Sequence, residues 1–180
     1  MAEGGIHGIR LSTMLKGAFG TDLLEPMAER IKQFGWHIVI HLDSVTEIAE
    51  LEPRLRKLPV DIVVDHLGRV RGGEGVSHPG FQALLTLLKD AYNIWCKLSS
   101  WYRLSNLGPP YDEMAPLARA LIGARSDHII WGTNWPHPKL WDHPMPNNSN
   151  RFDQFMGWAG DDATRHQILV DNPAKLYGFD

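Results

Sequence analysis

The sequence predicts an α/β protein: about five βα units that form part of a (β/α)8 barrel. Short apolar runs alternate with longer amphipathic segments, giving the order βαβαβαβαβα, which is typical of a parallel sheet with helical crossovers. Neither a G-x-G-x-x-G turn nor a P-loop is present, which disfavours an open nucleotide-binding sheet. Polar residues follow the strands instead, as they do at the mouth of a barrel.

The five predicted strands are short runs rich in Ile, Val and Leu, the composition of strands that are buried on both faces. They cover residues 6–11, 37–42, 61–66, 94–99 and 128–132. Glycines interrupt the first run. Parallel neighbours need a crossover connection between them, and the segments between these runs are long enough for one helix each.

The predicted helices carry apolar residues at helical spacing and cover residues 22–34, 44–57, 79–90, 112–124 and 162–170. Gly35 marks the end of the first. Ser44, with Glu47 three residues later, marks the start of the second, in which Pro53 predicts a kink or a break. Residues 134–150 contain four prolines and no periodicity, so they are predicted to form a long loop. Residues 172–177 are expected to form a short terminal segment.

Composition excludes several functional classes. The chain has 180 residues, 22% of them charged, and a net charge of −3. This balance implies neither a nucleic-acid nor a membrane partner, and no apolar run has the roughly 18–20 residues that a membrane span needs. The lone cysteine, Cys96, cannot form an internal disulfide, so we expect a reducing, cytoplasmic location.

Several short segments carry a family resemblance. They are Gly-Ile-Arg at 8–10, Gly-Trp-His-Ile-Val at 35–39, Val-Asp-His-Leu-Gly-Arg at 64–69, Lys-Leu-Ser at 97–99, Trp-Gly-Thr-Asn-Trp-Pro-His-Pro at 131–138 and Asn-Pro-Ala-Lys-Leu-Tyr-Gly at 172–178. In this order they resemble the amidohydrolase-related family of the second type. Within it they are most similar to the lactone-hydrolysing branch, the 2-pyrone-4,6-dicarboxylate lactonases. The resemblance spans essentially the whole chain.

The resemblance implies a partial barrel. Family members are complete (β/α)8 barrels whose first strand carries a His-x-His pair, and this sequence has no such pair. Residues 5–10 match the family's fourth strand. We therefore expect residues 1–180 to be a single barrel fragment that holds the last five βα units. It is either the C-terminal portion of a longer protein or a small relative that completes its barrel as a homo-oligomer.

Two residues are candidates for the catalytic role. His66 ends the third strand, and the resemblance implies that it polarises the carbonyl under attack; as a hydrogen-bond donor it could do so by itself. Asn134 follows the last strand, where lactonases of the family carry an aspartate base. An amide is not a usable base near neutral pH. Asn134 is therefore expected to orient water or substrate, or to cap a turn, and His66 or His137 is the alternative base.

The predicted substrate is a small carboxylated molecule. Arginine binds carboxylate as a bidentate fork. Arg10 lies near the end of the first predicted strand, and Arg69 and Arg103 lie in the loops after the third and fourth. His41, at the end of the second strand, is a further candidate for substrate binding. Asp65 alternates with His66 and is expected to face a helix, so it is excluded from the predicted site.

No metal and no cofactor are predicted. His41 and His66 could supply two ligands, but two imidazoles make a weak site and Asn134 is a poor zinc ligand. By resemblance, the lactonase branch works without a metal. Three functions stay open: a hydrolase in which water attacks the carbonyl of a carboxylated lactone or similar cyclic ester, a metal-dependent decarboxylase of the wider family, and a non-catalytic barrel remnant.

Overall fold

Five parallel strands in sequence order form the sheet at the centre of the protein. The computed structural model describes residues 4–138, 140 and 142–179. The strands are β1 Gly8–Ser12, β2 His37–His41, β3 Ile62–Val64, β4 Ile94–Leu98 and β5 Ile129–Trp131. Each pairs in parallel with the next along the chain. The predicted α/β order, with part of a barrel wall as its sheet, is confirmed.

Helices connect the strands and continue after β5. They are α1 Leu24–Ile31, α2 Glu47–Leu55, α3 Pro79–Asp90, α4 Ala115–Arg125, α5 Asn148–Ala159, α6 Asp162–His166 and α7 Asn172–Tyr177, and a π-helical turn joins the last two. The bounds of α3 are those that its pattern predicts. None of the helices in the described part of the chain is long and apolar enough to cross a membrane.

Two helices differ most from the prediction. α2 continues through Pro53 to Leu55, so of the predicted kink or break, the break does not occur; Pro53 lies on the exposed side of this short helix. α5 begins at Asn148, inside the segment predicted as loop. The side chain of Asn147 accepts a hydrogen bond from the backbone N–H of Asn150 and caps its first turn.

The two faces of the sheet have different partners. One face, which includes Ile40, Val64 and Leu98, packs with the helices in the main hydrophobic core. The opposite face carries a smaller cluster of Val63, Trp95 and Ile130, covered in part by side chains of α7. In a barrel this second face is the interior. Side chains alternate along a strand, so Asp65, two positions after Val63, points to the same side, towards the mouth of the barrel.

One buried amide ties the end of α2 to the sheet. Asn93 is fully buried, and its Nδ2 lies 3.3 Å from the carbonyl oxygen of Leu55, 3.0 Å from that of Leu58 and 3.1 Å from that of Val60. These contacts fix the turn that leads into β3.

We expect Asn93→Ala to lower the free energy of unfolding by roughly 2 kcal/mol, because it leaves buried carbonyl oxygens without a donor. Urea denaturation measures this change. The control is Asn150→Ala, at an exposed position on α5, which should change the free energy by less than about 0.5 kcal/mol. Equal effects of the two substitutions would contradict the assigned role of Asn93.

Candidate active site

The carboxylate of Asp65 lies at the centre of a cluster of charges at the ends of the strands. Its Oδ2 is 2.6 Å from Arg10 Nη2, and its Oδ1 is 3.4 Å from Lys97 Nζ. The side chain of Asp65 is 4% exposed, whereas that of Arg10 is 46% exposed. Burial opposes ionisation, but the charges of Lys97 and Arg10 outweigh it and lower the pKa of Asp65. A buried, ionised carboxylate therefore holds two cations in place.

The expectation that Asp65 faces a helix is wrong. β3 ends at Val64, and Asp65 is in the extended conformation, so it shares the inward direction of Val63. The alternation then stops, because His66 begins a left-handed turn in which residues 66–69 all have positive φ. Three of these are not glycine, and such backbone costs energy at each. The turn allows Asp65 and His66 to face the same cavity.

His66 contacts a side chain on each side of its ring. Its Nδ1 is 2.7 Å from Ser99 Oγ, just past the end of β4, and its Nε2 is 3.6 Å from Asp65 Oδ2. Burial lowers the pKa of His66 to about 3, against the opposing effect of the Asp65 charge. His66 is therefore a neutral imidazole at physiological pH.

His41 lies beside His66 but has fewer partners. The two rings meet edge to face with their centroids 5.2 Å apart. His41 Nδ1 is 3.4 Å from Ser12 Oγ, while its buried Nε2 has no hydrogen-bond partner. Burial, followed by the charge of Arg10, lowers the pKa of His41 to about 4.

The side chain of Asn134 offers the cavity a hydrogen-bond acceptor, but not a base. It has a positive φ of 61°, and its Nδ2 lies 3.2 Å from Ser100 Oγ and 2.9 Å from Tyr102 OH. With both hydroxyls on the amide nitrogen, the side-chain oxygen of Asn134 is the atom left to accept a hydrogen bond from water or substrate. His137, the other predicted base, is buried against Tyr102 OH (3.2 Å) and Arg151 Nη2 (3.3 Å) and does not line the cavity.

Of the three predicted arginines, one lines the cavity and two do not. Arg10 lines the cavity. Arg69 is 8% exposed, and its Nε has no hydrogen-bond partner. Arg103 donates a hydrogen bond to the carbonyl oxygen of Pro138. Neither Arg69 nor Arg103 lines the cavity, although the charges of both lower the pKa of His41.

The cavity at this cluster has a volume of about 230 Å³ and is lined by Arg10, Asp65, His66, Lys97, Ser99, Trp131, Gly132 and Asn134. A larger cavity of about 560 Å³ lies among prolines before α4 and α5. We assign the site to the smaller one, because it holds the buried ionisable groups at the strand ends, where barrel enzymes carry their chemistry.

Five cavity residues were missing from the predicted site: the polar side chains of Asp65, Lys97 and Ser99, together with Trp131 and Gly132. Lys97 and Ser99 lie at the end of a predicted strand, as His66 does. The criterion that made His66 a candidate could therefore have identified them too. Within the described ranges, no three His, Cys, Asp or Glu side chains are grouped so that they could hold a metal ion.

Comparison with known proteins identifies the family. A family model described as amidohydrolase matches residues 1–179. A 2-pyrone-4,6-dicarboxylate hydrolase of Comamonas testosteroni is 35% identical over 97% of this chain and 60% of its own length. A D-galactarolactone isomerase of Agrobacterium fabrum is 31% identical over 98% of this chain and 60% of its own length.

A solved structure supports the same fold. It is described as a probable 2-pyrone-4,6-dicarboxylic acid hydrolase of Acinetobacter baumannii with citric acid bound; it is 27% identical, with a TM-score of 0.81, and the match covers 99% of this chain and 66% of that one. The chain belongs to the amidohydrolase family, as its motifs predicted. It spans about 60% of the length of the curated relatives it matches.

The two low imidazole pKa values predict a pH dependence of stability. In the unfolded chain these imidazoles have the ordinary pKa of 6.5, whereas folding lowers the pKa of His41 to about 4 and that of His66 to about 3. The stability that these groups contribute is complete above pH 6.5 and is lost as the pH falls towards 4. The free energy of unfolding should decline by at most about 1.4 kcal/mol per pH unit for each imidazole.

Urea unfolding at pH 7, 6 and 5 measures this slope. His41→Gln and His66→Gln should each flatten it, while His143→Gln, at an exposed position, should leave it unchanged. A slope that is the same in all three variants would contradict the burial of neutral imidazoles.

Proposed function

We propose that this chain supplies the active site of a hydrolase that opens a small lactone or similar cyclic ester bearing a carboxylate. The observation that carries the proposal is the cavity in which a neutral imidazole, His66, adjoins the cations of Arg10 and Lys97. The cations match an anionic substrate and the negative charge that develops on an attacked carbonyl. The relatives' names, a pyrone dicarboxylate hydrolase and a lactone isomerase, support a lactone as the substrate.

His66 acts on the attacked carbonyl in this proposal. Its neutral ring carries one N–H, which can be donated to the carbonyl oxygen. Asn134 cannot accept a proton near neutral pH. Asn134 then orients a water or the substrate through its oxygen. Arg69, Arg103 and His41 do not line the cavity and are proposed to bind more distant substrate groups.

Three further expectations remain proposals. Residues 1–180 act as one barrel segment. The cell compartment is the reducing cytoplasm, an inference that rests on Cys96, which is buried and free. A homo-oligomer is one way to cover β1 and β5, since each pairs with one neighbour in the described sheet.

The test is turnover of 2-pyrone-4,6-dicarboxylate and of the parent 2-pyrone, which lacks carboxylates. We expect ring opening of the dicarboxylate, at least about tenfold faster than that of the parent, because each ion pair lost in such a site costs about 1.4 kcal/mol or more. Ring opening is followed by proton release and by product mass. Equal rates, or no turnover of either compound, would contradict the proposal.

Two controls test whether the activity depends on His66 and whether it depends on a metal. His66→Ala should lower turnover by about 100-fold or more, whereas His166→Ala, at an exposed position on α6, should not. A chelator should leave the rate unchanged; loss of activity would instead favour the metal-dependent alternative. An isomeric lactone in place of the ring-opened acid would indicate isomerisation.

A further inference from the structure

We propose that the larger cavity is a second binding site, which takes a small organic carboxylate with an apolar body and holds it through the buried guanidinium of Arg151. The proposal is independent of the lactone chemistry. This cavity has a volume of about 560 Å³, within the usual range for a small-molecule site. Its lining shares no residue with the lining of the active-site cavity.

Arg151 brings a buried positive charge to this cavity. It is one of the lining residues, yet it is only 2% exposed. Burial lowers the pKa of Arg151, and the groups that oppose this effect are the phenols of Tyr102 and Tyr111, not carboxylates. Phenols are neutral near pH 7. Within the part of the chain that the structure describes, no carboxylate therefore balances this charge, and an unbalanced buried charge is costly.

The contacts of Arg151 fix its guanidinium in position but leave one donor unused. Nη2 lies 3.3 Å from Nε2 of His137 and also donates to Oδ1 of Asn148. The guanidinium lies over the ring of Tyr102, with Cζ 4.8 Å from the ring centroid. Nε, in contrast, is buried and has no hydrogen-bond partner. A carboxylate can accept from arginine in a charge-assisted pair, so one ligand group would satisfy both the charge and the donor.

The start of α5 adds positive potential at the same wall of the cavity. Arg151 is the fourth residue of this 12-residue helix, and Asn147, which caps the helix, and Asn150 also line the cavity. The N-terminal end of a helix favours anions. Asp153, the one acidic residue in the described lining, is exposed, so solvent screens its charge. The buried cation therefore dominates the potential.

The remaining walls select an apolar body for the ligand. Proline rings, Tyr111 and Met145 form most of the lining. Gln154 is held at the wall, because its Nε2 donates to the carbonyl oxygen of Pro110 and its Oε1 lies 3.0 Å from Nε1 of Trp101. Inorganic phosphate would meet the charge but would leave this apolar surface in contact with water. A carboxylate on a compact apolar ring meets both, and benzoate is the simplest probe of that class.

A chain of hydrogen bonds connects Arg151 with the active site. His137, whose Nε2 faces Arg151, has its Nδ1 3.2 Å from Tyr102 OH. Tyr102 OH lies 2.9 Å from Nδ2 of Asn134, which lines the active-site cavity. The ring of His137 is in direct contact with the guanidinium, so its signals should report binding at Arg151 as well.

The experiment is a titration of the ¹⁵N-labelled 180-residue chain with benzoate, followed by NMR of the arginine Nε–H groups and the histidine rings. We expect saturable shifts of Arg151 and His137 with one dissociation constant of about 1 mM or lower. Benzamide, which has the same shape without the charge, should bind at least about tenfold more weakly, because it forms no ion pair. Arg151→Gln assigns the Arg151 signal by removing it.

Two exposed lining positions change the charge of the cavity and leave the buried guanidinium in place. Asn150→Asp adds a negative charge and should weaken benzoate binding about two- to fivefold, the scale of exposed charge pairs. Asp153→Asn removes a negative charge and should tighten binding by a similar factor. Both positions are exposed on α5, so both variants should fold even if Arg151→Gln does not, and circular dichroism checks this.

A saturable Arg151 shift that follows the two substitutions in opposite directions supports the second site. No shift, an equal response to benzamide, or a response that neither substitution alters overturns it. Arg10 could hold benzoate in the active-site cavity, so the titration is repeated with Arg10→Gln. An unchanged dissociation constant at Arg151 supports two separate sites, whereas loss of the Arg151 shift would place the ligand in the active site and overturn the proposal.

Discussion

The buried carboxylate of Asp65 is the constraint around which the site is arranged. A charge removed from water is costly unless other charges and donors compensate it, and here Arg10 and Lys97 each face one of its oxygens. The two cations are thereby held at the cavity. The same carboxylate lies 3.6 Å from His66 Nε2, and its charge favours a proton on that nitrogen over Nδ1. One acidic side chain thus determines where the positive charge of the site lies and acts on the ring beside it.

Two features of the fold place this carboxylate in the site. Parallel pairing in sequence order brings the ends of all five strands to one edge of the sheet, so groups from β1, β3 and β4 meet although they are far apart in the sequence. The left-handed turn after Asp65 then directs two consecutive residues to one cavity, which a regular strand does not allow. Strained backbone of this kind is common where a protein positions reactive groups.

Periodicity predicted the strands and most helices, because burial on both faces and helical amphipathicity leave clear local patterns. It did not predict the inward direction of Asp65, because the predicted strand ran to His66, two residues past the true end of β3 at Val64. The run of positive φ through His66 and Leu67 has no local signature in the sequence beyond Gly68. The pairing of Ser99 with His66 joins residues 33 apart in sequence; it depends on strand register. Arg69 and Arg103 were correctly expected near strand ends, but the turns that follow decide where such side chains point.

The most direct test of the account is the protonation state of His66, observed through the ¹⁵N chemical shifts of its ring in uniformly labelled protein. We expect a neutral ring with its proton on Nε2 at pH 7, unchanged down to pH 5, since burial lowers the pKa of His66 to about 3. A ring protonated on Nδ1 alone, or an imidazolium at pH 7, would show that Asp65 does not orient His66 as described.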